Sequence, residues 1–330
     1  MCILRRYLLG CILIVFLGYC GCAYHQTIPS EQTDKIYMAE ITMDDLVSGF
    51  SPVFLAYGHR NEYNRIGRPS ADYDDRGREY IHVNTKEPVI YYKISQFIAS
   101  KGVYTNYVYR IHFPEIPFSI IPFHLTAGKN VGLMVIVTVD ILNRPVLIST
   151  VHTCGCYVSI VPTSYLPRDA FPENWKEKPL KVYGERLPCK LEYTDNNDHR
   201  VFVHLRPGVH RVMNLEIVEN GELNQKGEFG RIVTPLIPME ALNEISMDGK
   251  TTSFYYKEGV LKGHVKGSIK YWESIFMSLI SLDLFVGMDK AYSDTELTGN
   301  PFYTSLKPWN RNSSNMWDFA GFLEFWGWRL

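Results

Sequence analysis

The chain has almost no excess of charge. Its 34 lysines and arginines balance 35 aspartates and glutamates, so no net field draws the protein to nucleic acid or to an anionic surface. Motifs that carry common chemistries are also missing. "DGKTT" offers Gly249, Lys250 and Thr251, but a phosphate loop needs a glycine five positions before Gly249, where Glu244 stands. There is no dinucleotide-binding glycine fingerprint, serine-nucleophile elbow or zinc-protease helix motif. "DYDDRG" sets Asp72, Asp74 and Gly77 at calcium-loop positions, yet Arg76 and Val83 occupy two positions that require oxygen ligands. No internal repeat excludes a solenoid or propeller, and no Pro/Gly/Ser-rich linker divides the chain.

Cysteine is sparse beyond the N-terminal segment: after residue 22 only Cys154, Cys156 and Cys189 remain. Long apolar runs are also short of a span. The stretch "MCILRRYLLGCILIVFLGYCGC" has Arg5 and Arg6, then an apolar run from Tyr7 to Leu17, then small residues and cysteines. A spanning helix needs about 20 apolar residues, so this is the layout of a signal peptide. The segment resembles a bacterial lipoprotein signal, in which a short box ends in a cysteine that becomes lipidated at the mature N-terminus. Two registers compete. Gly21 before Cys22 is small, as the cut requires, whereas Cys20 follows the bulky Tyr19; Cys22 is therefore preferred and Cys20 is the alternative. An ordinary secretory signal and, through "RRYLL", a twin-arginine signal are the other readings. The resemblance implies a lipid-anchored protein of the bacterial cell envelope. Ala23 after the cysteine, in place of an aspartate, points to the outer membrane, facing the periplasm.

Hydrophobic residues make up 46% of the chain, with 22 Tyr, 17 Phe and 6 Trp. That supply suits pleated, half-buried strands. Residues 23–50 read as a polar tether, and the stretch from Tyr57 to Tyr80 as surface loop. Short β-branched and aromatic runs then predict strands at Tyr80–Val83, Val89–Ile94, Thr105–Phe113, Leu133–Asp140, Val146–Thr153, Tyr157–Val161, Val201–Leu205 and Val209–Val218. The runs on either side of "ILNR" are apolar on both faces, which predicts a central hairpin covered on each side. Residues Ser268–Met288 read as a buried core helix whose one polar stripe is Ser274, Ser278 and Ser281. "NSSNMWDFAGFLEFWGWRL" reads as a capped C-terminal helix, apolar nearly all round, packed in the core or, alternatively, against a partner or a membrane surface. The expected fold is α+β: a mainly antiparallel β sandwich or mixed sheet over residues 51–265, with a helical C-terminal portion, 266–330, packed on it.

One cluster stands out chemically. In "VHTCGCYV", an extended strand would project His152, Cys154 and Cys156 to one face. An imidazole and two thiolates are three of the four ligands of a zinc site, and sulfur also suits a copper ion. His124, His112, His204, His210 or Cys189 would supply the fourth. If Pro207 and Gly208 make a turn that sets Leu205 opposite His210, His204 and His210 face opposite ways. The competing readings are a disulfide from Cys189 to Cys154 or Cys156, a redox dithiol between the two near neighbours, and a cysteine nucleophile with a histidine base. In "YNRIGRP", Tyr63, Asn64, Arg65 and Arg68 form a candidate ligand loop for a carboxylate, phosphate or sugar. Two functions follow from this sequence. The first is an envelope-anchored, non-enzymatic module that binds an envelope protein partner through C-terminal aromatics; the second is a periplasmic metal-binding or thiol-redox protein.

Overall fold

The computed structural model describes residues 34–42, 45–194, 199–225 and 229–330. Cys20, Cys22 and the apolar run before them lie outside the described residues. Strands are numbered along the chain. One sheet contains β1 (Lys35–Ala39), β2 (Val53–Ala56), β12 (His199–Leu205), β13 (Val212–Glu219) and β14 (Gly230–Thr234) in the order β13-β12-β2-β1-β14. The other contains β5 (Ile90–Ala99), β6 (Gly102–Ile116), β7 (Gly128–Val139), β8 (Pro145–His152), β9 (Ser159–Pro162) and β15 (Leu236–Pro238) in the order β15-β5-β6-β7-β8-β9. Three hairpins stand apart: β3 (Arg68–Tyr73) with β4 (Glu79–Asn84), β10 (Leu180–Val182) with β11 (Glu185–Leu187), and β16 (Ile245–Met247) with β17 (Lys250–Thr252).

Side-chain alternation in β7 assigns the layers. Leu133, Val135 and Val137 face the smaller sheet and pack with Tyr109, Phe113, Phe54 and Val203. Met134 and Ile136 face the other way, under Phe254, Val265, Phe302, Met316 and Phe322. The β7–β8 pair is the expected antiparallel hairpin, and each of its faces is covered, as its two-sided apolar pattern requires. Asp140 closes its turn by accepting from Leu142 and Arg144 backbone N–H groups. All eight expected strands form. Two regions read as irregular also contribute strands: β1 lies within residues 23–50, its Ile36, Tyr37 and Ala39 buried, and β3 lies within the polar stretch before Tyr80. β1 was obscured because a pairing partner is distant, β14 in parallel; β3 was obscured by its polar composition, although its partner β4 follows directly.

The C-terminal portion is less helical than expected. Its α-helices are Tyr271–Ser281, Thr295–Thr298 and Phe319–Phe325. The first stops short of Met288 because Leu282 takes the left-handed conformation and caps it. The last buries Phe319, Phe322 and Leu323, and Trp328 after it is also core, while Trp317 and Trp326 remain exposed.

A buried ionic knot joins this portion to the sheet. Lys270 Nζ and Asp289 Oδ2 pair at 2.9 Å, both side chains excluded from water. Asp289 also accepts from the Gly132 backbone N–H in β7 and from the Thr153 hydroxyl at the end of β8. Lys290 Nζ donates to the Cys154 carbonyl at 2.8 Å, and Arg110 of β6 donates to the Lys290 carbonyl at 2.9 Å. Removing one partner of a buried pair strands the other charge, at a cost of about 3–5 kcal/mol. Asp289→Ala and Lys270→Ala are therefore each expected to lower the unfolding free energy by about that amount in urea. The double variant is expected to lose less than the sum; strictly additive losses would contradict the pairing.

Candidate functional site

β8 ends at His152, and the chain turns where an extended strand was expected. Gly155 N–H donates to the His152 carbonyl at 2.7 Å, and His152 N–H donates to the Cys156 carbonyl at 3.0 Å. Gly155 has φ +90, and a Cβ there would overlap the Tyr303 carbonyl oxygen, so the turn requires glycine. Cys154 and Cys156 are bonded to each other, with Cα atoms 5.6 Å apart, and Cys189 is a free thiol. That corrects the pairing of Cys189 with either of them. It also takes both sulfurs away from the ligand set proposed for zinc or copper. Among the described residues no three His, Cys, Asp or Glu side chains are grouped to hold a metal ion.

The histidines are engaged separately. His152 Nε2 contacts the His210 carbonyl at 3.2 Å. His112 Nε2 accepts from Arg110 Nε, His124 Nδ1 meets the Pro117 carbonyl, and His204 lies between Tyr57 and Glu216. His210 stacks on Phe113, centroids 4.0 Å apart. The β12–β13 register sets Leu205 opposite Val212 and not His210; even so, His204 and His210 fall on opposite faces of that sheet.

The "YNRIGRP" loop does not converge on a ligand. Buried Asn64 donates to the Gly58 carbonyl and accepts from Gly208 N–H, tying two loops together. Arg65 donates to the carbonyls of His59 and Arg60, and half-buried Arg68 pairs with Glu87 at 3.5 Å. Tyr63 is half-buried beside Asn64 in the same short turn.

Helix Tyr271–Ser281 presents the feature that the sequence reading reversed. Its polar stripe faces the protein: Glu273 and Ser281 are buried, Ser274 reaches the Val286 carbonyl, and Ser281 donates to the Met277 carbonyl. Its apolar side faces solvent. Leu279 is 85% exposed and Leu284 77%, with Tyr271, Ile275, Ile280 and Leu282 also exposed. The loop after β6 extends this surface. Phe118 and Phe123 pack on Trp272, and Phe123 also meets Phe276, while Ile121 at the loop tip is 92% exposed. Between Pro117 and Ala127 there is no acidic or basic side chain except His124. An uncharged run of that kind in a loop between two strands was the available signal, since loops are ordinarily polar. Contiguous exposed apolar surface beyond a few hundred Å² is uncommon on monomeric soluble proteins and marks an interaction site. Among the described residues no helix is long and apolar enough to cross a membrane.

Beside the helix's C-terminal end, a cavity of about 180 Å³ is lined by His264, Asp283, Asn300, Tyr303 and Arg311, among others. These groups satisfy one another: Tyr303 OH donates to Asp283 at 2.5 Å, His264 Nε2 meets Asn300 at 2.9 Å, and Arg311 donates to the Ser281 carbonyl. Burial pushes Lys290 down to about 8 and raises the Glu273 carboxyl. Comparison of the chain with protein-family models, curated proteins and solved structures yields no match.

The buried histidines give a pH signature. Burial pushes His210 down to about 3 and His264 to about 4, and it holds His112 and His152 well below the ordinary range. With an unfolded value of about 6.5, the unfolded chain binds more protons below that pH, so acid favours unfolding. Glu273 works in the opposite sense. The expected outcome is a lower urea midpoint at about pH 5 than at about pH 7.5, with a shallower dependence in His210→Gln. A midpoint that rises on acidification contradicts the neutral, buried assignment.

Proposed function

We propose that the protein is an envelope-anchored, non-enzymatic binding module, held by lipid on Cys22, with Cys20 as the alternative register, and facing the periplasm from the outer membrane. The observation that carries the binding half is the inverted helix, whose apolar side chains, with the loop 117–123, form an uncharged docking face. Exposing that surface to water is unfavourable by roughly 25 cal/mol per Å², and the fold has a serine stripe that could have faced solvent instead. The anchor half rests on the leader's layout alone. The docking face lies on the helix and loop and not on the C-terminal aromatics, of which Phe319, Phe322 and Trp328 are core.

Two measurements test the reading. Mass spectrometry of the N-terminal peptide is expected to find an acylated Cys22; an uncleaved leader or unmodified cysteines overturns the anchor. In the cell envelope, a photo-crosslinker at Leu279 is expected to give adducts that one at Ile98, exposed at the far end of the sheet, does not. Leu279→Asp with Leu284→Asp abolishes the contact while leaving the thermal midpoint unchanged, because neither side chain is buried. Equal labelling at both positions contradicts a docking face.

A second reading, thiol-redox activity, is favoured by one observation: Cys154 and Cys156 are joined across a single glycine, with Cys156 partly exposed. Reduction of the bond by a dithiol consumes two electrons and two protons and yields two thiols, while the reductant becomes a disulfide. If that exchange is functional, Cys154→Ser and Cys156→Ser lose reactivity and remain folded. Unfolding of both variants assigns the bond a structural role.

A further inference from the structure

We propose that the occupant of the apolar face is the surface of a lipid bilayer, so that the module meets the membrane directly as well as through its anchor. This inference rests on the docking reading above and supplies its partner.

The first argument is where the undescribed N-terminal chain joins the fold. β1 begins at Lys35 and runs antiparallel to β2, which runs parallel to β12; the start of β1 therefore lies with the ends of β2 and β12. Asp34 accepts from Gly58 N–H at 2.9 Å. Gly58 approaches Pro207, and Gly208 approaches His124 of the apolar loop, a Cβ on Gly208 lying 3.7 Å from the imidazole. The loop also follows the end of β6 and leads into the start of β7, and Gly128 there lies against Lys270, the residue before the helix. The N-terminal segment thus leaves the fold at the end that bears the apolar face. Cys22 precedes Asp34 by twelve positions (34 − 22), which limits its reach to about 40 Å of extended chain. An acyl group on it keeps the bilayer within that distance of Asp34, at the end of the fold that bears Ile121 and Leu279.

The second argument is the chemistry of the face. Protein interfaces carry a polar rim and about one hydrogen bond per 100–200 Å². Here the exposed side chains of the helix are apolar or aromatic: Tyr271, Ile275, Phe276, Leu279 and Ile280. The most exposed of them stand clear of the surface, which suits insertion into acyl chains more than filling a pocket. Trp272 and Tyr271 mark the start of the helix, and such amphipathic rings favour the headgroup level. An interfacial helix lies in the membrane plane with its apolar side about 5–10 Å deep. With no cluster of lysine or arginine on the face, its attachment is hydrophobic and insensitive to salt.

The test reconstitutes the full chain in phosphatidylcholine vesicles with and without brominated acyl chains. Subtracting the emission of Trp272→Phe isolates Trp272 from the other tryptophans. The bilayer reading expects strong quenching of Trp272 by brominated lipid, unchanged at high salt and lost in Leu279→Asp with Leu284→Asp. Quenching that persists in that double variant overturns it, because anchoring alone then explains the signal. Absence of quenching, together with a crosslink from position 279 to another envelope protein or to a second copy of this chain, overturns the bilayer and preserves the docking face. Absence of both overturns the docking reading as well.

Discussion

The ion pair between Lys270 and Asp289 sits where three parts of the molecule meet. Asp289 reaches β7 through Gly132 and the end of β8 through Thr153, while Lys270 stands immediately before helix Tyr271–Ser281. A charge pair buried this deeply tolerates little displacement, because moving one partner leaves the other unsolvated. It therefore fixes the start of the helix against the sheet. Glu273, one turn on, is buried beside Gly287, where a side chain would overlap its carboxylate. Polar anchors on the inner side leave the apolar side no place but outward.

This explains why the sequence misled at the helix and informed elsewhere. Where burial is set by apolar pattern, the reading succeeded: Leu133–Val139 and Val146–Val151 are two-sided runs, and each side is covered. Where burial is set by a specific polar partner, pattern was no guide. The serines read as a minor stripe on a buried apolar helix because nothing local reveals that Glu273 is buried against Gly287 and its neighbours. β1 escaped notice for a related reason, since its parallel neighbour β14 lies far along the chain. The cysteines show the limit of parity arguments. One glycine at positive φ ends the alternation that would have aligned His152, Cys154 and Cys156.

Several features gather at one end of the sandwich. The start of β1, the loop 117–127, the start of the helix and the Cys154–Cys156 turn lie together there, linked through Gly58, Gly208, Gly128 and Lys290. The interior at this end holds the Lys270–Asp289 ion pair, and the helix and loop outside it present apolar side chains. A stiff base beneath an adhesive rim is suited to docking on a surface.

The central claim is that this apolar end is covered in its native setting. Hydroxyl-radical footprinting of the full chain in intact envelopes tests it most directly, because Ile98 and Ile141 are comparably exposed residues at the far end of the sheet. The account predicts that Ile121, Leu279 and Leu284 are protected while Ile98 and Ile141 are oxidised. Equal oxidation at all five positions contradicts it.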